Sequence, residues 1–183
     1  MAEHVALMKA TTNPVLYTDR LSLRRLELTD AAFILELVND RDWLRYIGDR
    51  GIRTEDAARD YITHGPHAMY ARFGFGLYRV ELRDGGMPIG LCGLIKRDWL
   101  EEVDIGFAFL PAYRGRGYAR EAAAATLYHG RTTLRLDRLA AIVSPDNTGS
   151  IRLLERLGLR FDRMVAPPAE AAAICLYVTA TDR

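Results

Sequence analysis

Asp104-Ile105-Gly106-Phe107-Ala108-Phe109-Leu110-Pro111-Ala112-Tyr113-Arg114-Gly115-Arg116-Gly117-Tyr118-Ala119 leads from an apolar run through a glycine-rich turn into an Ala-rich helical pattern starting at Arg120. Two glycines let the backbone turn tightly, and their missing side chains admit a ligand close to the N–H groups. The helix start adds unpaired donors and the positive end of a dipole. Arg114 and Arg116 flank the glycines with guanidinium groups suited to phosphate oxygens. Strand, turn and helix together predict a pyrophosphate site.

Two common phosphate motifs are excluded. No G-x-x-x-x-G-K-[ST] occurs, and the turn lacks the G-x-G-x-x-G spacing of a dinucleotide fingerprint. Arg114-Gly115-Arg116-Gly117-Tyr118-Ala119 instead resembles the [Q/R]-x-x-G-x-[G/A] signature of the GNAT acetyltransferases. The resemblance implies that these six residues, with Phe109 and Leu110 before them, bind acetyl-CoA, the loop cradling its pyrophosphate.

A second segment is independent of the first. Leu139-Ala140-Ala141-Ile142-Val143 reads as a buried strand, followed by Ser144 to Ser150 and Ile151 to Gly158. Asp146 or Asn147 can cap the helix, Gly158 sits where a C-terminal cap belongs, and Ile151, Leu154 and Leu157 share one face. Asn147, Ser150, Leu157 and Gly158 also resemble the N-x-x-[S/A] and L-G-[F/L] pattern that follows the fifth strand in GNAT proteins. Thr18 to Leu26 with Thr29-Asp30-Ala31-Ala32, and Ile174 to Val178, are similar to the opening and close of the ribosomal-protein-alanine acetyltransferase branch. The resemblance spans residues 18 to 179.

Composition agrees with one α/β domain. The chain has 183 residues, 49% of them hydrophobic, enough for one sizeable core. A formal net charge of +1 with interspersed signs points to neither nucleic acid nor an anionic membrane as partner, and no uncharged apolar segment reaches a spanning length. The expected division is a loose N-terminal arm over 1–17 and the acetyltransferase domain over 18–183. Without a signal-peptide pattern at the start, the expected location is the cytoplasm. Cys92 and Cys175 lie in apolar strand patterns and read as buried free thiols.

Periodicity and turn residues predict strands near Leu21–Glu27, Phe75–Leu82, Ile89–Lys96, Glu102–Leu110, Leu139–Val143, Arg160–Met164 and Ala173–Thr179. Helices are predicted near Asp30–Asn39, Thr54–Ile62, Ala119–Thr133 and Asn147–Leu157. Asp84-Gly85-Gly86 reads as a hairpin turn. The resemblance implies a single-domain GNAT fold with a mixed, mostly antiparallel sheet and helices on both faces. Its fourth and fifth strands splay, opening a gap for the pantetheine arm between Phe107–Leu110 and Ile142–Ser144.

The implied chemistry is direct attack of an amine on the thioester of acetyl-CoA through a tetrahedral intermediate, without a covalent enzyme species or a metal. An alkyl amine with a pKa of about 10 arrives protonated and must first lose a proton. Asp104, at the start of the fourth strand, resembles in position the catalytic glutamate of GNAT histone acetyltransferases; it competes with the reading of a solvated carboxylate, and Glu101 and Glu102 are neighbours. Leu154 stands where many GNAT enzymes carry a tyrosine acid, which leaves Ser150 as the hydroxyl of the motif. Asn147 either bonds the pantetheine arm or only caps its helix.

Other candidates are weaker. His64-Gly65-Pro66-His67 reads as a turn without a third metal ligand. Trp43, Tyr46, Phe75 and Trp99 are candidates for lining an acceptor cleft. Dimers are common in the family, and the acceptor, protein N-terminus or small-molecule amine, is undefined. A non-catalytic acyl-CoA sensor or interaction domain on the same fold is the alternative.

Overall fold

The computed structural model describes residues 13–168 and 172–180. Eight strands form one sheet: β1 Leu16–Tyr17, β2 Leu21–Arg25, β3 Leu77–Leu82, β4 Pro88–Lys96, β5 Val103–Phe109, β6 Leu139–Val143, β7 Arg160–Val165 and β8 Ile174–Val178. Their spatial order is β1-β2-β3-β4-β5-β6-β8-β7. Every neighbouring pair is antiparallel except β5 and β6, which are parallel. The helices are α1 Ala31–Val38, α2 Arg41–Tyr46, α3 Glu55–Ile62, α4 Ala68–Phe73, α5 Tyr118–Thr132 and α6 Thr148–Arg156.

The period-2 alternation of the strands sends side chains to two separate cores. On one face Cys92, Leu94 and Ile105 pack with Ala122, Ala123 and Leu127 of α5 and with Leu154 of α6. On the other, Leu91 and Leu110 pack with Ile34 and Leu37 of α1 and with Ala58 and Ile62 of α3. The expected mixed sheet with helices on both faces is therefore what the chain forms.

Three local expectations change. Leu16 and Tyr17 pair with Leu23 and Ser22, so the sheet begins inside the stretch expected to be a loose arm, whose residues 1–12 lie outside the described residues. With this extra strand, the expected fourth and fifth strands are β5 and β6. The short helix α2 is an addition: its six residues bury only Trp43, too little for a periodic signal, and the Asp40 side chain caps it by accepting from the N–H groups of Asp42 and Trp43. Finally, Thr63–His67 is a π-helical segment between α3 and α4 with Pro66 inside it, not a turn. Pro66 has no N–H to give an α-helical ladder, and a widened segment lets the chain stay helical around it.

Candidate active site

β5 and β6 pair only through Val103 with Leu139 and Asp104 with Ala140. Beyond Asp104 the two strands part, and the rest of β5 faces β6 across an open wedge. Ile105 to Phe109 and Ala141 to Ser144 line it, within a cleft of about 960 Å³. Backbone groups on a buried strand need partners, so strand edges parted in this way present donors and acceptors to a ligand. The wedge coincides with the gap expected between Phe107–Leu110 and Ile142–Ser144.

The glycine-rich turn stands at the mouth of this wedge. Gly115 (φ +71°) and Gly117 (φ +83°) both take the left-handed conformation, with Gly117 as the N-cap of α5. Alternating hands at successive residues turn consecutive N–H groups towards one point, a nest suited to an anion. The N–H groups of residues 115 to 120 find no acceptor among the described residues. The loop is braced from the β1–β2 turn: Arg20 donates to the Arg116 carbonyl (3.1 Å), pairs with Glu121 (2.6 Å) and lies over the Tyr118 ring (4.5 Å). Thr18 Oγ1 donates to Glu121 (2.6 Å), joining the β1–β2 turn to the first turn of α5.

Arg114 occupies a different place from that expected of a phosphate ligand. Its guanidinium pairs with Asp40 and Asp42 (2.6 Å to Asp42), and its Nε donates to the Phe109 carbonyl at 2.8 Å. Burial pushes the Asp40 carboxyl up, but the Arg114 hydrogen bond and charge, with the N–H groups of Asp42 and Trp43, bring it below its usual value. The arginine thus ties the loop to α2. A second tie crosses nearby, from Arg45 of α2 to Asp146 in the β6–α6 loop (3.0 Å).

Asp104 lies at the apex of the wedge and is only 1% exposed, which rules out a solvated surface carboxylate. Arg97 meets it with both arms of its fork, Nε to Oδ1 at 2.9 Å and Nη2 to Oδ2 at 3.2 Å. Burial raises the carboxyl above its ordinary value against the opposing pull of Arg97. Lys96 holds the adjoining turn by donating to the carbonyls of Arg97, Leu100 and Glu101. Glu101 and Glu102 are not among the cleft residues; Glu102 instead approaches Arg138 (3.7 Å) and Arg163 (4.0 Å).

On the opposite wall, Asn147 Oδ1 accepts from the Ser150 N–H (3.1 Å), fixing Asn147 rather than Asp146 as the cap of α6. This leaves the Asn147 amide donors and the Ser150 hydroxyl without partners among the described residues. The Gly158 N–H closes the same helix on the Glu155 carbonyl (3.0 Å), and Leu154 is buried as the shared-face pattern predicted.

One cleft therefore gathers Asp104, Phe109, Arg114, Gly115, Gly117, Tyr118, Ala119, Asn147 and Ser150. It does not gather Leu110, which turns into the core against α1, or the exposed Arg116 side chain, whose carbonyl is taken by Arg20. Of the aromatic candidates, Trp43 and Tyr46 line the cleft. Phe75 is buried against Phe73, and Trp99, not among the cleft residues, lies under the Arg97 guanidinium at 5.9 Å. Arg97 itself was missed, although the hairpin register that sets Ile95 opposite Asp104 places a basic residue near that carboxylate. The Arg20–Glu121 brace has a separation of 101 residues and no local signal.

Residues 20–160 match the acetyltransferase (GNAT) domain family. The chain belongs to this family. It is similar to the uncharacterized N-acetyltransferase YnaD of Bacillus subtilis (strain 168), 32% identical over 143 residues, which is 78% of this chain and 81% of that protein. The crystal structure of an acetyltransferase from Agrobacterium tumefaciens str. C58 superposes with a TM-score of 0.77 at 27% identity, covering 93% of this chain and 96% of the other. A ribosomal L7/L12 alpha-N-protein acetyltransferase in complex with coenzyme A shares the fold, with a TM-score of 0.78 at 14% identity over 93% of this chain and 99% of that one. GNAT enzymes use acetyl-CoA and an amine acceptor, and this chain is an N-acetyltransferase; membership favours catalysis over the non-catalytic alternative.

Proposed function

We propose that the chain binds acetyl-CoA in the β5–β6 wedge and transfers the acetyl group directly to a primary amine. The observation that carries this is the parting of β5 and β6 immediately after Asp104, with the N–H groups of residues 115 to 120, unpaired among the described residues, at the mouth. An extended polar arm needs an unpaired strand edge, and a pyrophosphate needs converging donors. In this proposal Gly115, Gly117, Tyr118 and Ala119 present N–H groups to the pyrophosphate, and Arg116 contributes its backbone. Arg114 holds the loop against α2. Phe109 and Asn147 face the arm from opposite walls.

Asp104 is proposed to take the proton that the ammonium must lose, directly or through water. Its burial suits the role, since a carboxyl raised towards neutrality is a better base than a solvated one. The Ser150 hydroxyl, without a partner among the described residues, is proposed to donate to the departing sulfur in place of the tyrosine that Leu154 replaces. The two unpaired thiols, Cys92 and Cys175, fit a reducing compartment such as the cytoplasm. Calorimetric titration with acetyl-CoA, desulfo-CoA and NAD tests the donor site: both CoA compounds bind and NAD does not. Absence of acetyl-CoA binding would overturn the proposal.

A further inference from the structure

Three carboxylates line the cleft among the described residues: Asp40, Asp42 and Asp104. Arg114 takes up the first two, whereas Asp104 faces a different cation, Arg97, which also lines the cleft and has no part in the donor site. The fold builds Arg97 into place. The β4–β5 register sets Ile95 opposite Asp104 and Lys96 opposite Val103, so Arg97 is the first residue beyond the paired rungs and its side chain reaches back to the carboxylate. Lys96 Nζ donates to the carbonyls of Arg97 (3.2 Å), Leu100 and Glu101 (3.0 Å), which ties down the turn that carries Arg97. The Trp99 ring lies under the guanidinium at 5.9 Å.

The two bonds of the fork, Nε to Oδ1 at 2.9 Å and Nη2 to Oδ2 at 3.2 Å, fix the plane of the carboxylate, which a single bond does not. A carboxylate has about four acceptor sites, so the fork leaves room for an amine or a bridging water. The Asp104 side chain is 1% exposed and that of Arg97 26%, so solvent and salt screen the pair little. Burial raises the Asp104 carboxyl, and the Arg97 charge and hydrogen bond are the largest influences against it, ahead of the Asp104 backbone and the Lys96 charge. The remaining neighbours supply no competing charge. Ile95 of β4 and Ala140 of β6, its register partners, are apolar. Tyr61 of α3, which feels the charges of Arg50 and Arg97, has its hydroxyl pushed further from ionisation by burial. Glu102 is directed to Arg138 and Arg163, and Glu101 is exposed and outside the cleft. A base at this depth fails if its carboxylate turns from the amine or if it is already protonated at the working pH, and Arg97 opposes both.

Resting on the base role proposed for Asp104, we propose that Arg97 is a positioning residue for acetyl transfer, its fork aiming the Asp104 carboxylate at the amine and keeping that carboxylate ionised to receive the proton. Arg97 itself touches neither the acetyl group nor the amine. An N–H bond of the ammonium breaks, an O–H bond forms on Asp104, and the resulting acid returns the proton to solvent before the next turnover; no proton passes through the guanidinium.

The test compares R97Q and R97K with the wild type and D104N, all as the full chain. Carbon NMR of the aspartate carboxyls, with the Asp104 signal identified by its loss in D104N, follows the ionisation directly. Its midpoint moves up by about one pH unit or more in R97Q, the size of shift that an opposite charge confers, and by less in R97K, which keeps the charge. The pH profile of kcat/KM is measured at saturating acetyl-CoA with whichever amine the wild type turns over fastest among L-amino acids, alkylamines and a short peptide with a free α-amine. The ionisation of that amine is common to all variants and cancels in the ratio to wild type. The acid limb of R97Q moves up by the same interval as the carboxyl midpoint. R97K keeps its limb nearer that of the wild type but loses about ten-fold or more in kcat, because an ammonium is a point charge that does not fix the carboxylate plane. Acetyl-CoA affinity by calorimetry stays at the wild-type value in both. A carboxyl midpoint or an acid limb unmoved in R97Q would overturn the proposal, as would a wild-type kcat in R97K. If R97Q does not fold, R97K decides alone, and a wild-type kcat overturns the proposal. If D104N retains the acid limb, the base role falls and this proposal with it; if D104N loses the limb and R97Q leaves it in place, only the role of Arg97 falls.

Discussion

Gly117→Ala separates the backbone geometry of the loop from its chemistry. Gly117 holds φ +83°, and a Cβ there would meet only Arg20 Nη2, at 3.3 Å. That atom is the end of a flexible side chain 47% exposed, so it swings aside and the cost is the left-handed backbone itself. Such a conformation costs an L residue about 1–2 kcal/mol. At about 2–4 °C per kcal/mol for a domain of this size, the thermal midpoint falls by roughly 2–8 °C. Relaxing out of the left-handed region also rotates the peptide that carries the Tyr118 N–H and breaks the nest. Losing one charge-assisted donor to the pyrophosphate costs about 1.5–3 kcal/mol, hence roughly ten- to a hundred-fold in acetyl-CoA affinity. Gly85→Ala is the control, because Gly85 (φ +81°) has nothing within 4 Å of its Cβ and sits in the β3–β4 turn outside the cleft. Calorimetry and thermal melts on both variants should show comparable losses of stability and a loss of affinity in Gly117→Ala alone. Unchanged affinity in Gly117→Ala, or equal loss in both, would refute the assignment of the loop as the pyrophosphate site.

Asp104→Asn should reduce kcat/KM by about a hundred-fold, within the usual span for a general base. The wild-type profile should lose activity as pH falls through the raised pKa of Asp104, because the protonated acid takes no proton, and the variant should lack this acid limb; a superimposable profile would remove the role. Asp30→Asn addresses stability. Asp30 is 3% exposed and receives Arg24 (2.7 Å) and Arg79 (2.5 Å), so removing its charge leaves two nearly buried arginines to share Glu81 alone, at a cost of about 3 kcal/mol, read from urea unfolding. Burial alone would raise this carboxyl, but the Arg24 hydrogen bond, the Glu27 N–H and both arginine charges outweigh burial and lower it. Its contribution is therefore present above the unfolded value of 3.8 and is lost as pH falls through the lower folded value, so the gap between wild type and variant should close in acid.

The features legible in the sequence are those whose cause is local. The glycines of the 114–119 loop, the Asn147 cap, the Ile151, Leu154 and Leu157 face and the Asp84-Gly85-Gly86 turn all act within a few residues of themselves. Helix α2 and the π-helical segment were not legible, since six residues with one buried Trp carry no period, and Pro66 ordinarily ends a helix. Asp104 shows the boundary most clearly. Its place at the start of a strand could be read, whereas its 1% exposure and its fork to Arg97 depend on β4 and β6 closing around it.

Backbone conformational preference and strand alternation, both encoded residue by residue, determined the strand–loop–helix unit and the α6 segment, and with the two motifs they pointed to the family. Tertiary structure decided what those local rules leave free: that Arg114 turns to Asp40 and Asp42, that Arg20 and Glu121 brace the loop across 101 residues, and that Arg97 turns its fork to Asp104. A long side chain has many rotamers and can reach several partners, so its direction is settled by the charges and walls that the folded chain brings to it, not by its neighbours in sequence.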